Sequence, residues 1–127
     1  MSGVSVIVRS GTYESAHYAL SLASAALAVN QPAVLFFTMG GLRALTGPPP
    51  GLLDWGRDAA NRERGVGDFE TLLQACVELG ARFIACEMGL RSLGIERSEL
   101  RGDVPFIVAG IVTLLEETKP GMHLVSL

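Results

Sequence analysis

The chain has 127 residues, of which 49% are hydrophobic and 18% are charged, and its formal net charge is -3. This length and composition exclude a disordered protein and predict one folded domain over residues 1–127. The ten Lys and Arg residues are scattered along an acidic chain, so we expect no nucleic-acid partner. The apolar fraction is more than a monomer of this size easily hides, which favours an oligomer.

Neither the N-terminus nor the apolar stretches predict secretion or insertion into a membrane. Residues 1–8 lack the basic start and the small-residue cleavage site of a signal peptide. The mainly apolar stretches 18–29 and 104–115, which carry no charge, are shorter than the roughly 18 apolar residues needed to span a membrane. Cys76 and Cys86 form neither a disulfide framework nor a zinc-binding spacing. We therefore expect a cytoplasmic protein with free thiols, without metal, other cofactor or membrane partner.

Short apolar runs alternate with helical patterns along the chain. The predicted strands are 3–9, 33–37, 81–85, 104–108 and 122–127. The predicted helices are 13–28, 39–45, 69–79, 87–93 and 110–118, and Thr12, Thr38 and Asp68 are placed to cap three of them. Strands that alternate with helices run parallel, so the pattern predicts a three-layer α/β/α sandwich with a mainly parallel five-stranded sheet.

Residues 47–67 interrupt this alternation. The segment holds three prolines, five glycines and Trp55, with the periodicity of neither a helix nor a strand. We interpret it as a long loop, and loops of this length are surface excursions, lids or binding segments. Trp55 favours a docked lid or a subunit contact.

Cys86 is the candidate nucleophile. It follows the third predicted strand and precedes a helix, and ligands of open parallel sheets collect at such strand ends. Unpaired amides at a helix start favour a thiolate, while Glu87 opposes it and Arg91, one turn later, offsets Glu87. The alternative for Cys86 is a small buried hydrophobe that ends a strand. Cys76 lies on an apolar helix stripe and is predicted to be a core residue.

Several other active-site patterns are missing from the sequence. No glycine-rich phosphate loop follows the first strand. Ser92 stands where a Cys-x5-Arg phosphate cradle starting at Cys86 needs arginine, and no Cys-x-x-Cys pair is present for disulfide exchange. His17 and His123 lie at no recognisable catalytic spacing from a nucleophile, so neither receives a role.

Short motifs at the strand ends resemble a known family. They are Ser10-Gly11-Thr12, Phe36-Phe37-Thr38-Met39-Gly40-Gly41-Leu42, Phe83-Ile84-Ala85-Cys86-Glu87-Met88, and Leu93-Gly94-Ile95 with the glutamate-containing connector after it. Their order along nearly the whole chain resembles the DsrE-like (DsrE/DsrF/DsrH) family, closest to its stand-alone peroxiredoxin-like DsrE branch. The resemblance implies a flavodoxin-like DsrE fold, trimers or hexamers, and cytoplasmic sulfur relay. Residues 47–67 match no pattern of that family.

The resemblance also implies a role for Cys86, because the family's cysteine after the third strand carries sulfur as a persulfide. We expect a sulfur carrier, or a sulfurtransferase if the chain is an enzyme, that takes sulfur from a donor and passes it to an acceptor protein. The residues expected to line the site from strand-end geometry are Thr38, Met39, Gly40, Met88, Gly89 and Arg91. Two alternatives stay open: a non-enzymatic oligomeric module that binds a ligand or partner, and a peroxide-responsive thiol protein.

Overall fold

A computed structural model describes residues 2–127. The strands are β1 (Val4–Val8), β2 (Ala33–Phe37), β3 (Arg82–Cys86), β4 (Phe106–Ala109) and β5 (His123–Ser126). The α-helices are α1 (Tyr13–Ala28), α2 (Arg57–Glu63), α3 (Phe69–Glu78), α4 (Glu87–Leu93) and α5 (Ile111–Glu117). Two 3-10 helices cover Met39–Leu45 and Arg97–Glu99.

The five strands form one sheet in the order β4-β3-β2-β1-β5, and every neighbouring pair is parallel. Helices pack on both sides of it, which confirms the predicted α/β sandwich. Because all strands point the same way, their carboxyl ends share one edge, here called the C-terminal edge. Cys86 lies at this edge, as the last residue of β3.

The two faces of the sheet are covered unequally. The first face packs against α1 and α3, and its buried side chains include Val6, Val8, Leu35, Phe37, Phe83 and Ala85. The second face carries a smaller cluster of Val34, Phe36, Ile84, Cys86 and Leu114, the last of which belongs to α5. Cys86 therefore belongs to the thinly covered face.

The segment 47–67 is more ordered than predicted, because it contains α2. Asp58 of this helix is buried and accepts hydrogen bonds from the Tyr13 hydroxyl at 2.6 Å and the Phe69 amide at 2.8 Å. Trp55 packs edge-on against Tyr13 and Phe69, with ring centroids 5.6 and 5.5 Å away. The sequence prediction missed α2 because a buried carboxylate and tertiary contacts, rather than an apolar stripe, hold this helix in place.

The start of the same segment lies along the C-terminal edge. Leu53 pairs with the residues after β1: its amide donates to the Gly11 carbonyl at 2.9 Å, and its carbonyl accepts from the Tyr13 amide at 2.8 Å. Thr12 caps α1 and Asp68 caps α3, as predicted, through hydrogen bonds from Ser15 and Thr71. The chain after β1 is thus clamped between α1 and the 47–67 segment.

Candidate functional site

The Cys86 sulfur is held by the first turn of α4. The backbone amide of Gly89 donates a hydrogen bond to Cys86 Sγ at 3.4 Å. An amide directed at sulfur stabilises negative charge there, which is the charge of an attacking thiolate. The side chain is 0% exposed, so the sulfur is enclosed in the single chain.

Gly89 brings α4 against the chain after β2. A Cβ atom at Gly89 would lie 2.7 Å from the Met39 nitrogen and 2.9 Å from Thr38 Oγ1. Both contacts are too short for any side chain, so α4 reaches this position only because residue 89 is glycine. Met39 itself has a left-handed backbone, with φ of 48°. Cys86, Gly89, Met39 and Thr38 therefore form one tightly packed group.

Thr38 directly follows β2, next to the second face of the sheet. Its backbone is extended, with φ of -140° and ψ of 158°. Thr38 occupies the predicted N-cap position of the 3-10 helix Met39–Leu45, but its hydroxyl makes no capping hydrogen bond. Phe37 pairs with Ala85, and the same register places Thr38 beside Cys86 on the neighbouring strand. Side chains alternate along a strand, so both point to the second face, as Phe36 and Ile84 do.

The Thr38 hydroxyl is available to donate a hydrogen bond to a group bound at Cys86. The residue is only 8% exposed, yet Oγ1 has no hydrogen-bond partner among residues 2–127. Every fully enclosed side-chain oxygen or nitrogen in this part of the chain does have a partner, so Thr38 Oγ1 keeps contact with solvent. A nearly buried hydroxyl next to a thiol is a ready hydrogen-bond donor for a group attached to that thiol.

The other predicted lining residues, Gly40, Met88 and Arg91, have contacts and exposures of their own. Gly40 packs against the residue after Ser10: a Cβ at Gly40 would be 3.0 Å from the Gly11 nitrogen. Met88 is half-exposed on α4. Arg91 is mostly exposed and pairs with Glu87 at 2.7 Å, one turn apart on α4. The pair neutralises Glu87 near the thiol, and the Arg91 guanidinium is directed to that carboxylate.

Arg9 is a site candidate that the sequence interpretation missed. It follows β1 directly, and Val8 pairs with Phe37, so Arg9 lies beside Thr38 at the C-terminal edge. Its amide donates to the Leu127 carbonyl at 3.0 Å, which continues the β1–β5 ladder, and alternation from Ile7 then assigns Arg9 to the second face. Arg9 is exposed and forms no salt bridge within residues 2–127. Two-residue alternation beyond Ile7 would have identified it.

Cys76 is the contrasting thiol. It is fully buried between α3 and α1, and its Sγ donates to the Leu20 carbonyl at 3.5 Å. Burial raises the pKa of the Cys76 thiol to about 11. Its predicted place in the core is confirmed. Both cysteines are free thiols.

Away from this site, the described part of the chain carries surface cavities but no metal-binding cluster. Among residues 2–127, no three His, Cys, Asp or Glu side chains lie close enough to bind a metal ion together. Within the same range, every helix is too short or too polar to cross a bilayer. A cavity of about 270 Å³ lies at the opposite edge of the sheet, lined by Pro32, Ala33, Val34, Arg82, Glu117 and Met122 among others.

Comparison with known proteins supports the resemblance seen in the motifs. The model of the DsrE/DsrF-like family matches residues 3–127. The ychN protein from E. coli has a similar fold, with 18% identity, full coverage of both chains and a TM-score of 0.65. MTH1491 from Methanobacterium thermoautotrophicum, a protein of unknown function, is similar at 15% identity, full coverage and a TM-score of 0.62. None of the curated proteins matches the sequence significantly. On the family match, the chain belongs to the DsrE/DsrF-like family.

Proposed function

We propose that this protein is a sulfur carrier in which Cys86 holds the transferred sulfur as a persulfide. The observation that carries the proposal is the hydrogen bond from the Gly89 amide to Cys86 Sγ, beside the unpartnered Thr38 hydroxyl, in a chain of the DsrE/DsrF-like family. The amide stabilises negative charge on Sγ, and the hydroxyl can hold a second sulfur atom attached to it. The transfer partners are a donor persulfide and an acceptor thiol, and the free thiols suit the reducing cytoplasm.

Each transfer is one displacement at sulfur. The Cys86 thiolate attacks the outer sulfur of a donor persulfide, R–S–SH, and a bond forms between Sγ and that sulfur. The donor S–S bond breaks, and R–S⁻ leaves with the electron pair, while the proton stays on the transferred sulfur until solvent removes it. An acceptor thiolate then attacks the outer sulfur of the Cys86 persulfide, and Cys86 leaves as a thiolate. No net oxidation or reduction takes place.

The burial of Cys86 adds a step to this mechanism. Since Sγ is enclosed in the single chain, donor and acceptor reach it only after a local opening. Enclosure also shields the persulfide from solvent and from unrelated thiols between the two transfers. We therefore propose that opening, rather than sulfur exchange, limits the rate of loading.

A sulfur carrier must pass its sulfur atom to an acceptor thiol, and this transfer can be measured. Protein loaded with a small persulfide is freed of excess donor and mixed with a peptide that contains one cysteine, and mass spectrometry follows both species. A carrier loses one sulfur atom as the peptide gains one, and Cys86→Ser transfers none, whereas Cys76→Ser transfers as wild type does. Loaded protein that never passes sulfur to a thiol would refute the carrier function.

A second candidate function is favoured by the complete burial of Cys86, which also suits a structural cysteine in a non-enzymatic oligomeric module. All-parallel sheets are normally covered on both faces, but α5 buries a single residue, Leu114, on the second face. Its other apolar side chains Ile111, Val112 and Leu115 are at least half-exposed. We propose that copies of the chain associate through this side of α5, as trimers or hexamers, in either function. Inert Cys86 in a stable oligomer would favour the module.

A further inference from the structure

Three side chains of different chemistry stand in a row on the second face at the C-terminal edge. The last register pairs are Val8 with Phe37 and Phe37 with Ala85, and the same register continued by one residue places Arg9 beside Thr38 and Thr38 beside Cys86. Neighbouring strands are about 4.8 Å apart, so the long Arg9 side chain can extend past Thr38 towards Cys86. On the other side of Cys86 the row ends in Ala109, which is its register partner in β4.

We infer that Arg9 and Thr38 form an anion site for the outer sulfur of the Cys86 persulfide. This inference rests on the proposed function and names the residues that recognise its anionic group. A persulfide that has lost its proton carries negative charge on the sulfur beyond Sγ. The Thr38 hydroxyl donates a hydrogen bond to that sulfur, and the Arg9 guanidinium supplies the compensating charge.

The unpartnered hydroxyl is the main support for the site. Thr38 is more than nine-tenths buried, yet its Oγ1 is not fully enclosed, because every fully enclosed side-chain oxygen or nitrogen among residues 2–127 has a hydrogen-bond partner. Within residues 2–127 Oγ1 has none, and a Cβ at Gly89 would already lie 2.9 Å from it. Gly89 is also the residue whose amide contacts Cys86 Sγ, so the Thr38 hydroxyl and the thiol both lie next to Gly89. Once the local opening makes room at the enclosed thiol, a second sulfur atom bonded to Sγ would lie near Oγ1.

Charge distribution favours Arg9 over Arg91 as the cation of this site. Arg91 is paired with Glu87 at 2.7 Å, so the neighbouring carboxylate offsets its charge. Arg9 forms no salt bridge within the described residues, and alternation from Ile7 assigns it to the same face as Cys86. Because Arg9 is exposed, its effect is screened by salt, whereas the effect of the nearly buried Thr38 is not.

The test compares two alkylating reagents of similar size, neutral iodoacetamide and anionic iodoacetate, on Cys86 in a Cys76→Ser background. The ratio of the two rates cancels the local opening that both reagents need. We expect Arg9→Gln to lower the relative rate of iodoacetate about threefold at low salt, while Arg9→Lys keeps it. At about 1 M salt, where the screening length is about 3 Å, the difference should vanish. Arg64→Gln, which removes an exposed cation on the 47–67 segment, should leave the ratio unchanged.

Thr38 is tested on the persulfide itself. Thr38→Val should shorten the half-life of the Cys86 persulfide about tenfold, because one hydrogen bond to a charged group is lost, and Thr38→Ser should restore it. Persulfide formation with equal half-lives in Thr38→Val and wild type, or a rate ratio unaffected by Arg9→Gln, would overturn the anion site and leave the carrier function standing. A wild type that never forms a persulfide would refute the carrier function, and the alkylation ratio alone would then decide on the anion site.

Discussion

The amide nitrogen of Gly89 lies 3.4 Å from Cys86 Sγ and donates a hydrogen bond to it. The bond depends on glycine at position 89, since a Cβ there would collide with Met39 and Thr38. The chemistry proposed for Cys86 is therefore tied to how closely α4 packs on the chain after β2. This packing can be tested without any assay for sulfur transfer.

Gly89→Ala should push α4 away from Met39 and lengthen the hydrogen bond to Sγ. Forcing a methyl group into a packed site typically costs about 1–3 kcal/mol, so we expect a loss of that size in the free energy of unfolding, measured with urea. Alkylation of Cys86 should become faster as well. Gly110→Ala is the matched control, because no atom lies within 4 Å of a Cβ at that position. Equal urea midpoints for Gly89→Ala and Gly110→Ala would contradict the packing account.

Tyr13 should make stability fall in alkaline solution. Desolvation by burial, followed by its hydrogen bond to Asp58, raises the pKa of Tyr13 from 10.0 to about 12. The folded state therefore keeps a proton that the unfolded state loses, and this contribution is complete below pH 10 and disappears as pH rises towards about 12. Tyr13→Phe should lower the free energy of unfolding below pH 10 by about 1–2 kcal/mol and flatten its alkaline decline. Parallel pH profiles for the two proteins would show that another group is responsible.

Asp68 should make the free energy of unfolding fall in acid solution. Hydrogen bonds from the Thr71 side chain and amide, and then from Arg62, lower the pKa of Asp68 from 3.8 to about 2. Its contribution to stability is present above pH 3.8 and is lost as the pH falls towards about 2. We expect Asp68→Ala, which also removes the cap of α3, to cost about 1 kcal/mol near neutral pH and less at the acid end. Urea unfolding at both ends of that pH range checks this, and a cost that stays constant would disprove the assignment.

Val112→Asp should separate the proposed oligomer. The side chain is 71% exposed in the first turn of α5, where a carboxylate is compatible with the helix dipole, so the fold should survive. Across a contact between two copies, however, the added charge would be buried without a partner. Sedimentation velocity should show smaller particles than for wild type, while Tyr18→Asp, at a 61% exposed position on α1, leaves the size unchanged. Monomeric wild type, or an unaltered oligomer with Val112→Asp, would exclude association through α5.

Much of the fold could be predicted because each strand is a short apolar run next to a turn or cap residue. All five predicted strands occur: β2 has the predicted bounds, and the ends of the other four are shifted by one or two residues. β4 begins at Phe106 rather than Val104, since Pro105 between them has no amide to donate to the ladder. The family could also be predicted from the order of the strand-end motifs.

Features that depend on distant residues escaped the sequence interpretation. The helix α2 is held by Asp58, whose partner Tyr13 is 45 residues away. The buried guanidinium of Arg101 likewise pairs with Glu70, 31 residues earlier, at 2.6 Å. The site shows the same division: Cys86 and its neighbour Gly89 are local in sequence, but the row of Arg9, Thr38 and Cys86 exists only once the register of three strands is known.

The most direct test of the carrier function is intact-mass spectrometry after exposure to a small persulfide donor. Wild type and Cys76→Ser should each gain a single sulfur atom that a reductant removes, and Cys86→Ser should gain none. Cys76 serves as the internal control, because burial raises the pKa of its thiol to about 11 and keeps it protonated near neutral pH. An unmodified wild type, or an adduct that persists in Cys86→Ser, would contradict the assignment of Cys86 as the sulfur-carrying residue.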